Sequence, residues 1–286
     1  MKKNFIAALA TLSVMIIFCA PSVYALGFGA QARVWIPTFE GELRVDDGSV
    51  TGTEMDLQDD LGIDDEYFPG AEAFFGIGDH EITVSFSQID LSGSKKISKD
   101  ITFNGDTYPA GTNVDSELTT SMIDLEYQYK FLNLENILAG FSLGLIAKVK
   151  FFDGEFNLSS SAVESREDIQ VPVPMLGLGA KIGILADVLE ARAKVAGIGY
   201  DGSYSYDASA DISVNPFPFL NIYGGYRIMS LKIDDVEDIY TKMDFYGPYA
   251  GLATWRHWQP GSCAAGQAAP RSACTTGLFL MTVGSG

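Results

Sequence analysis

Nine carboxylates crowd into one stretch of the chain. Asp46, Asp47, Glu54, Asp56, Asp59, Asp60, Asp64, Asp65 and Glu66 follow one another with no Lys or Arg among them. Oxygen donors at this density suit a hard divalent cation such as Ca2+ or Mg2+. Asp56, Asp59, Asp60, Asp64 and Asp65 are the candidate ligands. Asp56, Gln58 and Asp60 repeat the first ligand spacing of an EF-hand loop. Leu61 then stands where that loop needs Gly, and Tyr67 where it needs its bidentate Glu. Asp234, Asp235, Glu237 and Asp238 form a second acidic stretch. The competing reading of both is a solvated, self-repelling surface, or a lure for cationic solutes.

Other chemistry is sparse. The chain has two histidines, His80 just after the turn residues Gly78-Asp79 and His257 near the end. A Ser-His-Asp arrangement needs a positioned base, and neither His lies in the acidic stretches. A carboxylate pair such as Asp59-Asp60 or Asp234-Asp235 activates water only if both face one way, and neighbours on a strand point to opposite faces. The expectation is a protein that is not an enzyme and carries no cofactor beyond surface-bound Ca2+ or Mg2+. Cys263 and Cys274 are able to pair in an oxidising compartment, at a spacing that matches no zinc motif. Gly177, Gly179 and Gly183 do not have dinucleotide-fingerprint spacing.

Any such groups must be held by 286 residues, 47% hydrophobic and 20% charged. That hydrophobic fraction excludes a disordered chain. A net charge of -18 excludes a nucleic-acid binder, which needs a basic footprint. The N-terminus reads as a secretory signal: Lys2 and Lys3, an apolar run from Phe5 to Phe18, then Val23-Tyr24-Ala25 as a cleavage site. Phe18 before Cys19 is too large for a lipoprotein signal. Residues 1–25 are therefore expected to be removed, with the mature chain starting near Leu26. No later segment is apolar and long enough to cross a membrane as a helix.

Periodicity points elsewhere. From Ile137 to Phe151 every odd position is apolar, while even positions include Gly140, Ser142, Gly144, Lys148 and Lys150. Period two over this length is a strand with one greasy and one polar face. The same alternation recurs at Phe28–Ile36, Ile123–Phe131, Leu189–Val195 and Tyr204–Val214. Charged residues recur on the polar face, strand after strand. That fits a membrane barrel, apolar outward and polar inward, better than a soluble sandwich. The predicted fold is all-β, an antiparallel transmembrane barrel of about ten strands. Eight or twelve are the alternatives if a hairpin near 95–103 is miscounted. The strands are expected near 27–38, 66–77, 80–92, 116–131, 137–152, 170–184, 187–200, 203–214, 220–232 and 242–254. Long loops near 39–65, 93–115, 153–169 and 233–241 would face outward from the cell, and short turns the periplasm. The inward face would carry Arg33, Lys130, Lys148, Lys150, Lys181, Arg192, Lys194 and Arg227 against Glu72, Glu81, Asp124, Glu126, Glu190 and Asp244. Such a lumen is laced with ion pairs, and a ten-strand barrel leaves no wide channel.

The run Asp56–Glu66 followed by a hairpin, and the late strand Tyr246-Gly247-Pro248-Tyr249-Ala250-Gly251-Leu252, resemble small outer-membrane β-barrels of Gram-negative bacteria, the OmpA/OmpW-like class. The resemblance spans residues 26–254. It implies an outer-membrane location and contact with lipid, lipopolysaccharide and the barrel-assembly machinery. It brings no catalytic or ligand residues. Residues 255–286 depart from it: Thr254 to Gly286 contains no Asp, Glu or Lys, and the chain ends in Gly286 where such barrels close on an aromatic residue. This is either an added tail or a shifted reading frame. The expected role is structural, interactive or a narrow solute path, with a surface enzyme acting on lipid or peptide as the alternative.

Overall fold

The computed structural model describes residues 26–48, 50–134, 140–185, 188–217, 220–236 and 239–258. The expected signal segment 1–25, the residues Cys263 and Cys274, and the chain from 259 onward lie outside them. The elements are β1 (Leu26–Trp35), β2 (Thr38–Val45), β3 (Met55–Asp56), β4 (Phe68–Ile77), β5 (His80–Lys96), β6 (Ile101–Phe103) and β7 (Asp106–Tyr108). There follow β8 (Asn113–Leu134), β9 (Phe141–Ser159), β10 (Glu164–Leu185), β11 (Leu189–Tyr200), β12 (Ser203–Phe217), β13 (Leu220–Val236) and β14 (Ile239–Trp258).

All wall pairings are antiparallel, and β1 pairs with β14 to close the barrel. β1 and β2 form one wall strand, broken at Ile36-Pro37, because both pair along β14. The wall therefore has ten strands, with β3 a short addition to β2. The turn at Gly78-Asp79 and the breaks after Leu134, Leu185 and Phe217 share one rim with Leu26 and Trp258. The long strand extensions beyond the apolar band lie at the opposite rim, which marks this one as the periplasmic rim.

The outward apolar face is as expected. Leu145, Phe151, Ile123, Leu125, Leu176, Leu178 and Ile212 are exposed on the barrel exterior, while Ser142, Asp124 and Lys150 are buried inside. On β9 this outward band runs from Phe141 to Phe151. Such a length, tilted about 40°, rises about 26 Å, the height of an outer-membrane hydrocarbon layer.

Above this band the faces exchange roles. On β9, Asp153, Glu155 and Asn157 follow on the outer face, and Phe152, Phe156 and Leu158 on the inner one. On β5 the buried inner positions change from Thr83, Ser85 and Ser87 to Ile89 and Leu91. The strands thus leave the membrane and continue as a water-exposed sheet with an apolar inside. This corrects the loop expectation for 93–115, 153–169 and 233–241. β9, β10, β13 and β14 continue through most of 153–169 and 233–241, β5 runs on to Lys96 and β8 starts at Asn113, and β9 and β10 meet in a tight turn at 160–163. The expected hairpin near 95–103 is displaced to β6–β7, pairs only with itself and adds no wall strand. Its turn, Asn104-Gly105, has φ of 47° and 80°, the left-handed pair that Asn-Gly adopts readily. The closing strand also runs past Thr254 to Trp258.

The upper interior is a packed apolar core. Trp35, Phe39, Phe68 and Phe245 stack in one layer, with centroids 4.9–6.1 Å apart. Met55, Leu57, Leu61 and Ile63 enter it from the acidic segment, and Ile101, Phe103 and Tyr108 from the hairpin. The segment 55–63 also repairs the wall. Leu57 N donates to Gly41 O at 2.8 Å, and Ile63 bridges Gly93 of β5, so this segment stands between β2 and β5 where β4 has ended.

Candidate functional site

Below the apolar layer the lumen is filled by charges, and the strand register explains their order. Asp124 lies opposite Lys150 and Glu126 opposite Lys148 on β8 and β9, and Arg192 opposite Asp211 on β11 and β12. Opposed positions on one face are near enough to interact directly. Lys150, 1% exposed, donates to both oxygens of Asp124 at 2.9 and 2.8 Å and lies 3.3 Å from Asp207. Arg227 grips the same Asp207 with two hydrogen bonds, 2.9 and 2.7 Å. Lys148 reaches Glu126 at 3.1 Å, Asp207 at 3.5 Å and Asp124 at 3.7 Å. Asp207 on β12 therefore ties β13 to β9 across the lumen, and Lys194 on β11 bonds Glu126 on β8.

Around this centre Arg33 pairs with Glu72 at 2.6 Å, and Gln31 donates to the same carboxylate. Arg192 bonds Asp211 at 2.8 Å, and Tyr249 donates its hydroxyl to Asp211 at 2.8 Å. Lys181 pairs with Glu190 at 2.9 Å. Arg227 also lies 4.8 Å below the Trp35 ring, so the charge cluster and the apolar layer meet without a gap. A cavity of about 80 Å3 remains among the paired charges. A second, of about 180 Å3, lies beside Glu81, Gln128, Lys130, Lys181 and Asn221 toward the periplasmic rim.

Two assignments change. Asp244 is not in the lumen: it lies on the outer face of β14, 3.8 Å from Lys242, while its neighbour Phe245 is buried inside. Asp207 and Asp211 belong in the inward set that sequence reasoning drew up. Their signal was the alternation of β12, Ser205, Asp207, Ser209, Asp211 and Ser213 on one parity.

Three of the five candidate cation ligands, Asp56, Asp60 and Asp65, have carboxylates engaged elsewhere, while the contacts of Asp59 and Asp64 are made through backbone atoms. Asp56 caps its own turn, accepting from Gln58 N at 2.9 Å and Asp59 N at 2.7 Å. Asp60 accepts from Asp56 N at 3.0 Å and pairs with Lys99 at 2.7 Å. Asp65 accepts from Phe39 N at 2.8 Å. The Asp59 carbonyl takes Lys95, and Asp64 N approaches Ser92 O at 3.5 Å. Among the described residues no three Asp, Glu, His or Cys side chains gather as a metal site. His80 sits at the periplasmic rim, 2.7 Å from the Tyr127 hydroxyl and stacked on Tyr129.

A closed antiparallel barrel with a lipid-height apolar exterior and a charge-paired interior defines an outer-membrane β-barrel protein. No family model and no curated protein matches the chain. Solved structures do. The outer membrane protease OmpT from Escherichia coli aligns over 80% of this chain and 97% of its own, with TM-score 0.53 and 12% identity. The translocator domain of the autotransporter NalP from Neisseria meningitidis covers 88% and 95%, with TM-score 0.38 and 12% identity. Ail, the attachment invasion locus protein of Yersinia pestis, covers 81% and 99%, with TM-score 0.31 and 9% identity. At such identities the likeness is one of fold.

Proposed function

We propose that this protein is a non-conducting, non-enzymatic outer-membrane barrel whose extramembrane sheet serves as a contact surface for partners at the cell exterior. The observation that carries this reading is the double filling of the interior. An apolar core occupies the upper half, and paired charges occupy the lower half up to Trp35. A solute path would need water-filled space through both. A hydrolase would need an activated nucleophile or water with a base beside it. Glu72, Asp124, Glu126, Glu190, Asp207 and Asp211 are each engaged by a cation. The apolar band meets outer-membrane lipid and lipopolysaccharide.

Planar-bilayer recording of the purified barrel tests the reading. Current indistinguishable from the protein-free bilayer is expected, and steady openings would overturn it. Turnover of lipopolysaccharide, phospholipid or a peptide library by the reconstituted protein would overturn the non-enzymatic part.

A further inference from the structure

The wall above the membrane has two gaps, and they are treated differently. Where β4 ends early, the segment 55–63 fills the gap between β2 and β5. Where β11 and β12 end early, the two-residue turn Asp201-Gly202 joins them, and among the described residues no strand takes their place. β10 pairs with β11 only from Leu176 onward, so from Glu164 to Met175 it has no described strand on that side. Opposite it, β13 loses β12 after Lys232. Between them lies a groove of about 500 Å3.

The exposed edge of β10 has a readable polarity. Its ladder to β9 runs unbroken from Glu164 to Lys181 through Pro172 and Pro174. Proline has no N–H to give, so the ladder survives both prolines only if their nitrogens face the groove. Asn104 confirms the parity, since its side-chain amide reaches into this side to bond the Arg166 carbonyl at 3.1 Å. The edge therefore presents the amides of Asp168 and Gln170, and the carbonyls of Asp168, Gln170, Pro172 and Pro174. The groove's inner side is apolar, with Ile169, Val171, Val173, Leu231 and Ile233. Its rim carries Glu167, Asp168, Asp201 and Asp234 against two cations, Arg166, which pairs with Asp168 at 3.3 Å, and Lys232, which pairs with Asp234 at 3.1 Å, so carboxylates remain in excess.

We propose that this slot binds a short extended cationic peptide segment by strand addition to β10, which deepens the contact-surface reading above and rests on it. Backbone pairing to a free edge supplies affinity, and alternate side chains supply specificity. The segment would turn apolar side chains toward Ile169, Val171 and Ile233 and basic ones toward Asp168, Asp201 and Asp234. A second copy of this chain fits poorly, because it would bring the same acidic rim against itself.

The test uses the purified protein in detergent and a labelled peptide of about seven residues with alternating Lys and Val, read by fluorescence anisotropy. Saturable binding that weakens with salt is expected. An alternating Glu and Val peptide should bind at least about tenfold more weakly. So should the cationic peptide N-methylated at every second residue, since one of its two registers loses the edge pairing. Gln170→Pro removes one edge amide, and Asp168→Asn with Asp201→Asn and Asp234→Asn removes rim charge. Each should weaken binding by about tenfold with the barrel's circular dichroism unchanged. Equal binding of both N-methylated registers would overturn strand addition in favour of a greasy groove. Equal binding of the acidic peptide would overturn the charge assignment. Sedimentation showing a dimer that Gln170→Pro dissolves would overturn it in favour of self-pairing. Failure here with a silent bilayer recording removes only the slot, whereas channel openings remove the filled-barrel reading whatever the peptides do.

Discussion

Asp207 is held by Arg227, Lys148 and Lys150 at once. Burying such groups is costly, and the cost is offset only while every charge keeps its partner. Lys150→Met should therefore lower stability by about 3–5 kcal/mol, because Asp124 loses both of its short bonds. Lys150→Met with Asp124→Leu should recover much of the loss. Denaturant unfolding of the barrel in lipid vesicles measures both, and a double variant no better than the single would refute the pairing argument. At the outer end, Tyr108 donates to the Leu158 carbonyl at 2.7 Å, and the Ser165 hydroxyl lies 2.9 Å from its oxygen. Burial first, and Asp106 and Glu164 after it, push its phenol above the usual tyrosine range. A raised folded value gives stability that is complete below about pH 10 and lost as pH rises through the folded value. Stability measured from pH 8 to 11 should fall more steeply in the wild type than in Tyr108→Phe. That variant should start about 1 kcal/mol lower. At this scale the sequence displayed the acidic cluster of 46–66 but not its use. The carboxylates stand out by type. Their roles as turn caps and latches depend on Met55, Leu57, Leu61 and Ile63, interleaved with them, being drawn into the core.

Each long strand is two strands by environment. On β9 the odd positions are apolar through Phe151 and polar from Asp153, and the even positions do the reverse. Alternation was legible along the membrane half, and it located all ten wall strands. The upper half carries the same period with opposite phase. Reading one greasy face as permanently outward ended each strand at the membrane boundary and turned its continuation into a loop. Phe152, Phe156 and Leu158 held the missing signal, alternating with Asp153, Glu155 and Asn157. The inversion also fixes where lipid stops. Leu145→Trp should be quenched by brominated lipid chains, and Glu155→Trp should not. Leu145→Arg should cost about 2–4 kcal/mol near the midplane, whereas Glu155→Arg on the outer face should cost less than about 0.5 kcal/mol. Quenching at both positions would place the boundary higher on β9.

The molecule as a whole is closed twice in series, by an apolar layer facing outward and by a charge network facing the periplasm. The two closures use different physics. The upper one resists water because Phe39, Leu43, Met55, Leu57 and Phe156 leave no exposed surface and carry no side-chain group that hydrogen-bonds it well. The lower one is polar, and water can enter it from the periplasmic rim as far as the 180 Å3 cavity beside Asn221 and Gln128. Access to that cavity should therefore depend on side. With Cys263→Ser and Cys274→Ser in place, Asn221→Cys should react with a membrane-impermeant thiol reagent when the periplasmic rim is exposed. It should stay unlabelled when reagent reaches only the outside of intact cells. A control, Glu155→Cys on the outer sheet, should label from outside at once, since it is on the surface above the lipid band. Labelling of Asn221→Cys from outside would mean that reagent had crossed the apolar layer. The stacked Trp35, Phe39, Phe68 and Phe245 would then be a gate rather than a plug.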